Sequence, residues 1–180
     1  NQAMLSQLRQ SRKIEGKNVE DVSYNWRPFQ LAFMLTTLPS TVHQEDEYRD
    51  EVDLIWFPTG GGKTEAYLGL SAFLILYRRL KYPDSYGGTT ALMRYTLRLL
   101  TTQQYARACR LICALELIRQ HSKHPQLPYH ELGEEMISIG LWVGSPTSPN
   151  TIKEANKAKE KAKLASPEDL SYFVITHCPW

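Results

Sequence analysis

The chain has 180 residues, 42% of them hydrophobic and 22% charged, which is typical of one globular domain with a sizeable core. A net charge of +2 is too small to indicate nucleic-acid binding by itself. The longest apolar run, at 66–77, is shorter than the roughly 18 residues that a membrane span needs, so we expect no membrane partner.

Three cysteines without a complete metal-binding spacing, Cys109, Cys113 and Cys178, favour a reducing compartment over a disulfide framework. The chain begins with Asn1 and stops abruptly at Trp180, and we therefore expect it to be part of a larger protein.

The first 51 residues carry few strong signals. Residues 1–22 are polar with a short helical pattern, which predicts a lead-in helix or connector. Residues 26–38 are rich in apolar side chains and predict a short buried helix that ends at Pro39. The acidic stretch at 43–51 predicts a solvated loop.

Beyond that stretch, apolar runs alternate with helical patterns. The runs predict strands at 52–57, 89–95, 136–143 and 172–176, and the patterns predict helices at 63–81, 96–120 and 151–164. This alternation is typical of a parallel sheet with helices on both faces. We therefore predict a three-layer α/β fold in which the loops after the first three strands share one rim.

A glycine-rich segment separates the first predicted strand from its helix: Thr59-Gly60-Gly61-Gly62-Lys63-Thr64-Glu65. Glycines let backbone amides approach phosphate oxygens closely, and a helix N-terminus attracts anions. Lys63 would reach the β/γ-phosphates and the Thr64 hydroxyl would bind Mg²⁺. The segment predicts a site for ATP and Mg²⁺ with Lys63 and Thr64 as catalytic residues, although the general pattern asks for glycine where Phe57 stands. A plain glycine turn and a non-hydrolysing loop are the alternatives.

A second candidate element of the nucleotide site lies upstream, at Arg27-Pro28-Phe29-Gln30. The amide of Gln30 can donate and accept together, as the N6 and N7 atoms of adenine require. Trp26 or Phe29 could stack on the base. We therefore assign Arg27 and Gln30 to cofactor binding, with a solvent-facing glutamine on a core helix as the alternative.

Two further candidate sites lie at the ends of predicted strands. Arg94, Thr96 and Arg98 offer guanidinium and hydroxyl groups suited to the DNA backbone, unless Thr96 merely caps a helix between two surface arginines. Cys178 could begin a Cys-x-x-Cys zinc knuckle, whose second cysteine would be the residue that follows Trp180 in the parent protein.

The order Arg-Pro-Phe-Gln, Pro-Thr-Gly-Gly-Gly-Lys-Thr-Glu and Tyr-Thr-Leu-Arg resembles superfamily 2 helicases and translocases, whose nucleotide loop typically reads Ala-Pro-Thr-Gly-x-Gly-Lys-Thr. Phe57 stands where that family usually has alanine, so the first glycine is not required. The resemblance implies that Gln30 recognises adenine. Thr96 and Leu99 match the family's Pro-Thr-Arg-Glu-Leu segment, whereas Tyr95, Leu97 and Arg98 depart from it.

A narrower resemblance rests on the segments 56–69, 92–101 and 137–144, which are similar to the helicase subunit of the DISARM anti-phage defence system. It implies a cytoplasmic protein that works on phage DNA with other defence subunits. It also implies that residues 23–180 form a truncated RecA-like P-loop domain, the first motor domain of the parent protein. Structural zinc in that parent is a further expectation.

The resemblance is incomplete within these 180 residues, because they contain neither an Asp-Glu-x-His strand to hold Mg²⁺ and activate water nor a second motor domain. We therefore expect these residues to bind ATP weakly and to hydrolyse it poorly, while the parent protein acts as an ATP-dependent helicase or translocase. The alternatives are a P-loop kinase or small-molecule ATPase, and a nucleotide-sensing, DNA-binding subunit that does not hydrolyse ATP.

Overall fold

The computed structural model describes residues 1–56, 60–95, 98–121, 132–143, 149–164 and 178–180. Within these ranges the chain forms five helices: α1 (Gln2–Ile14), α2 (Pro28–Val42), α3 (Lys63–Lys81), α4 (Arg98–His121) and α5 (Ile152–Leu164). The predicted helices at 63–81, 96–120 and 151–164 are confirmed, with starts and ends within two residues. A helix also forms inside the predicted lead-in segment, while the division of the chain at residue 22 stays a prediction.

The core lies between α1, α3 and α4, since α1 packs on α4 and α4 packs on α3. In each helix the buried residues recur at three- and four-residue spacing, which places them on one face. The buried apolar residues of this core are Ala3, Met4, Leu68, Ala72, Ala108, Leu111, Ala114, Leu115 and Ile137.

The helix α2 packs on α3 and begins at Pro28, whose fixed φ suits a first helical position. The prediction that this helix ends at Pro39 is wrong, because α2 continues to Val42 with Pro39 inside it. Proline has no amide hydrogen for the carbonyl of Leu35, and the helix continues without that bond. The hydroxyls of Ser40 and Thr41 both donate to the carbonyl of Thr37. The prediction of a buried helix is also wrong in part, because Leu31 and Leu35 are exposed.

The fold-class prediction of a parallel sheet is contradicted, since no residue in the described ranges is in a β-strand. The segments 52–56, 89–95 and 136–143 form neither a helix nor a strand ladder. Val52 is 91% exposed and Trp56 is 88% exposed, so the first segment does not have the two covered faces that a central parallel strand requires. The fourth predicted strand, at 172–176, lies outside the described residues.

The physical reason is that β-branched and aromatic side chains suit a half-buried strand but do not provide the neighbouring backbone with which a strand pairs. The segment 132–143 shows this best, because alternate residues face the helices and solvent. Ile137 and Ile139 pack against the helical core, while Trp142 is 98% exposed. The segment therefore has the two-residue periodicity of a strand and packs on helices without a strand beside it.

Main-chain atoms of this segment are held by a group that we call the carbonyl latch, formed by Arg79, Glu116 and Arg119. Arg79 donates to the carbonyl of Leu132 at 2.6 Å, and Arg119 donates to the carbonyl of Gly133 at 2.9 Å. Two guanidinium nitrogens of Arg119 donate to Glu116 at 2.8 and 2.6 Å.

Glu116 also accepts a bond from the Ile137 amide at 2.9 Å. The hydrogen bonds that Arg119 donates are the main reason why the pKa of Glu116 is lowered to about 2. The carbonyl latch thereby fixes the start of the 132–143 segment against α3 and α4. Among the described residues no helix is long and apolar enough to cross a membrane.

Candidate functional site

The glycine-rich segment meets the N-terminus of α3, where the sequence predicts a phosphate site. Gly60 and Gly62 have φ values of +79° and +94°, a region that side chains strongly disfavour. Gly62 is the N-cap residue of α3 and has no side chain that could bond the amides of the first turn. The helix therefore begins with backbone amides that a side chain at its N-cap does not satisfy. Thr59, also assigned to this site, lies outside the described residues.

Two side chains of the α2 N-terminus bind the carbonyls of this segment, and we call this pair the glycine clamp. The Nη1 atom of Arg27 donates to the carbonyl of Gly61 at 2.7 Å. The Nε2 atom of Gln30 donates to the carbonyl of Gly62, also at 2.7 Å. The structure thus brings Arg27 and Gln30 to the glycine loop, from 34 and 32 residues away in sequence.

The Gln30 side chain has a second bond, because its Oε1 atom accepts from the backbone amide of Arg27 at 2.8 Å. This contact belongs to a capping box that closes the first turn of α2. Gln30 is only 3% exposed. Its predicted adenine contact stays a prediction, and both polar ends of its amide already have protein partners.

The first turn of α3 carries the other predicted residues of the nucleotide site, Lys63, Thr64 and Glu65. Each is partly exposed. Glu65 forms an ion pair with Arg107 of α4, which neutralises a carboxylate that would otherwise repel a phosphate at this helix end. Burial, followed by the charge of Arg110, lowers the pKa of Arg107.

The donor set suits a polyphosphate with a divalent cation. A cationic side chain and backbone amides at a helix N-terminus favour phosphate oxygens, and a threonine hydroxyl is the hard oxygen ligand that Mg²⁺ prefers. Lys63 and Thr64 would therefore hold ATP and Mg²⁺. The nucleotide itself would supply the transferable phosphoryl group. Arg107 balances the negative charge of Glu65 beside this site.

The predicted nucleic-acid residues are only partly described. Arg94 is exposed in the segment 89–95, which lies along a groove beside α3 and α4. Arg98 begins α4, although its side chain is not among those described, and Thr96 lies outside the described residues. Whether these three residues share one surface stays a prediction.

The predicted zinc residue, Cys178, is exposed, and Cys109 is buried in α4. Over the described ranges, histidine, cysteine and acidic side chains form no group of three that could hold a metal ion. The zinc site in the parent protein therefore stays a prediction.

The sequence interpretation missed Arg107 and the carbonyl latch. Arg107 gave no signal, since its partner Glu65 is 42 residues away. Glu116 and Arg119 did give one, because a three-residue spacing on a helix brings opposite charges together. The contacts of Arg79 and Arg119 with the carbonyls of Leu132 and Gly133 depend on tertiary packing.

No protein-family model matches the chain. In an alignment of 175 residues that covers 93% of the chain, it is 49% identical to DISARM protein DrmA of Bacillus paralicheniformis. This confirms the predicted resemblance to a DISARM protein. The chain spans 15% of the length of that DrmA, so activities and partners of a whole DrmA-like protein are matters for proposal. The similarity to superfamily 2 helicases stays a prediction alongside the DrmA match.

Proposed function

We propose that this chain supplies the nucleoside-triphosphate site of an ATP-dependent DNA helicase or translocase that acts in a DISARM defence system. The observation that carries the proposal is the junction at Gly60–Gly62, which joins positive-φ glycines to the N-terminus of α3. Lys63 and Thr64 follow at once, in the order that phosphate binding requires. The 49% identity to DISARM protein DrmA supports the association with defence.

Each residue has a defined task in this proposal. Lys63 neutralises phosphate charge, and Thr64 provides a neutral oxygen for Mg²⁺. The amides of the first α3 turn add hydrogen bonds and the positive end of the helix dipole. The Glu65–Arg107 pair keeps the approach to these groups free of net negative charge.

The DNA and protein partners belong to the same proposal. Arg94 is exposed and Arg98 begins α4, and their positive charges suit the DNA backbone without selecting sequence. Other DISARM subunits would complete the assembly, as the similarity to a DISARM protein suggests. Cytoplasmic action is the corresponding expectation, because phage DNA is present in that compartment.

The test uses the full-length protein with Lys63→Ala, and Lys81→Ala as the matched control at the other end of α3. Loss of a charged hydrogen bond to phosphate costs about 1.5–3 kcal/mol, so ATP binding should weaken roughly tenfold to a hundredfold. Calorimetric titration measures the binding, and phosphate release with and without DNA measures turnover. Lys81→Ala should change neither quantity, because Lys81 is exposed and remote from the site.

Each alternative has its own outcome. Hydrolysis that DNA does not stimulate would indicate a small-molecule ATPase or kinase. Phage defence that survives Lys63→Ala, with ATP binding lost, would indicate an assembly subunit that needs no turnover. Equal ATP binding by the wild type and Lys63→Ala would contradict the site itself.

A further inference from the structure

We propose that Arg107 of α4 is a positioning residue for the phosphate site. It holds the carboxylate of Glu65 away from the backbone amides at the start of α3, which that carboxylate would otherwise occupy in place of a phosphate. The inference rests on the proposed function, since it concerns the same site. It differs from the sequence interpretation, which counts Glu65 among the cofactor-binding residues.

The first observation is the place of Glu65 in its helix. Gly62 is the N-cap of α3, so Glu65 is the third helical residue. A glutamate at this position commonly turns back and accepts a bond from the backbone amide of the N-cap residue, which is one half of a capping box. The third residue of α2, Gln30, does this with the amide of its N-cap residue at 2.8 Å. Glu65 has the position and the acceptor group to do the same at Gly62.

The second observation is that Glu65 forms no such box, although its carboxylate is close to Gly62. A Cβ atom placed on Gly62 would lie 3.5 Å from the Oε2 atom of Glu65. The other carboxylate oxygen, Oε1, forms the ion pair with Arg107. Both Gly62 and Glu65 lie in the described ranges, and no capping box joins them. One oxygen is therefore held by α4, while the other lies beside the residue that it would cap.

The third observation concerns what fixes Arg107. Its helix packs on α3, and its Nη1 atom donates to the side chain of Gln104, one turn earlier in α4, at 3.4 Å. The side chains of Arg107 and Glu65 are 32% and 25% exposed. Water therefore screens their attraction less than it screens an ion pair on the open surface. Packing of α4 on α3 thus gives the carboxylate a partner away from the amides.

The amides of the first turn of α3 are the reason why this matters for binding. They have no partner within the helix, and they suit either a phosphate or a carboxylate of the chain itself. The two anions compete for the same donors and repel each other. By pairing with Glu65, Arg107 shifts this competition toward the phosphate.

The experiment titrates the full-length protein calorimetrically with ATP and with inorganic triphosphate, each with Mg²⁺. Arg107→Ala should weaken both ligands by the same factor, roughly tenfold, because a charged acceptor bonded to the amides must first be displaced. The matched control is Arg9→Ala, the same change at an exposed arginine of α1, which should alter neither affinity.

Two further variants separate a positioning role from a direct contact with phosphate. The double variant Glu65→Ala, Arg107→Ala should bind within about threefold of the wild type, because no carboxylate remains to compete. Arg107→Lys should also bind within about threefold, since an ammonium can pair with Glu65. In turnover, Arg107→Ala should raise KM and leave kcat nearly unchanged, because the competing carboxylate is displaced before the chemical step.

Melting curves of every variant separate these effects from a loss of folding. If Arg107→Ala does not fold, the single variant Glu65→Ala provides the test. It should bind both ligands at least as tightly as the wild type does. A tenfold weaker affinity of Glu65→Ala would make Glu65 a ligand of the nucleotide or its cation, and would overturn the proposal.

The other contrary results are distinct. A folded Arg107→Ala variant that binds both ligands as the wild type does overturns the proposal. So does a double variant that binds as weakly as Arg107→Ala, because Arg107 would then act on the phosphate directly. Both results leave the proposed function intact. A wild type that binds neither ATP nor inorganic triphosphate contradicts the proposed function, and this inference falls with it.

Discussion

Two groups of side chains in this chain hold main-chain carbonyl oxygens, and they differ in how far water reaches them. The carbonyl latch uses Arg79 and Arg119, each 8% exposed, and closes through the carboxylate of Glu116. The glycine clamp uses a buried Gln30 and an exposed Arg27, with no carboxylate in the bonds that define it.

The difference teaches how similar chemistry serves structure or binding. Buried charges lose their hydration, so the members of the carbonyl latch depend on one another and the segment that it holds is fixed. Water can replace the exposed half of the glycine clamp at little cost, so the loop that it orients can adjust to a ligand. A closed, dry network suits a structural role, and a half-open one suits a binding site.

The substitution Glu116→Ala should have the largest effect on stability, and it tests whether the carbonyl latch is a structural group. Removing the carboxylate leaves the charge of Arg119 in a largely dry environment, which should cost about 3–5 kcal/mol of unfolding free energy. Urea unfolding followed by circular dichroism measures the loss. Glu160→Ala removes the partner of Lys163 from an exposed ion pair and should cost about 0.5 kcal/mol or less.

Acid titration checks the same charge by an independent route. The pKa of Glu116 is lowered from 4.5 to about 2 in the folded chain, so its contribution to stability is present above pH 4.5 and is lost as the pH falls toward 2. The stability difference between the wild type and Glu116→Gln should therefore shrink over that interval. A difference that stays constant there would contradict the role given to this carboxylate.

A smaller effect is expected at Gly133, whose carbonyl the latch holds. Its φ is +80°, and a Cβ there would lie 2.4 Å from the Tyr86 hydroxyl. Strain and overlap together should make Gly133→Ala cost about 2–3 kcal/mol in the same unfolding measurement. Gly140→Ala is the control, because a Cβ at Gly140 meets nothing within 4 Å; equal costs at the two glycines would contradict the packing described here.

The smallest change in stability should come from Arg27→Ala in the glycine clamp. Its bond to the Gly61 carbonyl is exposed, so water substitutes and the unfolding free energy should fall by about 0.5 kcal/mol or less. Thermal melting measures this loss. A cost as large as that of Glu116→Ala would erase the distinction between the two groups.

The sequence located most helices because their buried residues recur on one face. The helix from Lys63 to Lys81 was predicted at its observed ends, since the glycines fix its start and Tyr82-Pro83 follows its end. The exception is Pro39, which the pattern took as a terminator. The helix continues through Pro39 to Val42, although proline lacks the amide hydrogen that would bond the carbonyl of Leu35.

The apolar runs led to the prediction of a sheet that the described residues do not form. A run such as 136–143 specifies side chains on alternating faces, which the structure has. Pairing with a neighbouring strand is a separate property, since it depends on which backbone lies alongside. In the described ranges these runs lie alone or against helices.

By itself, the sequence determined the candidate phosphate segment, because Gly60 to Thr64 combine backbone freedom, a cation and a hydroxyl in five consecutive residues. Only the tertiary structure decided what surrounds that segment. The folded chain brings Gln30 to a hydrogen bond with the Gly62 carbonyl, and Arg107 to an ion pair with Glu65. Both contacts join distant parts of the chain. Local chemistry can be recognised from neighbouring residues, whereas the orientation of a loop depends on donors that packing brings to it.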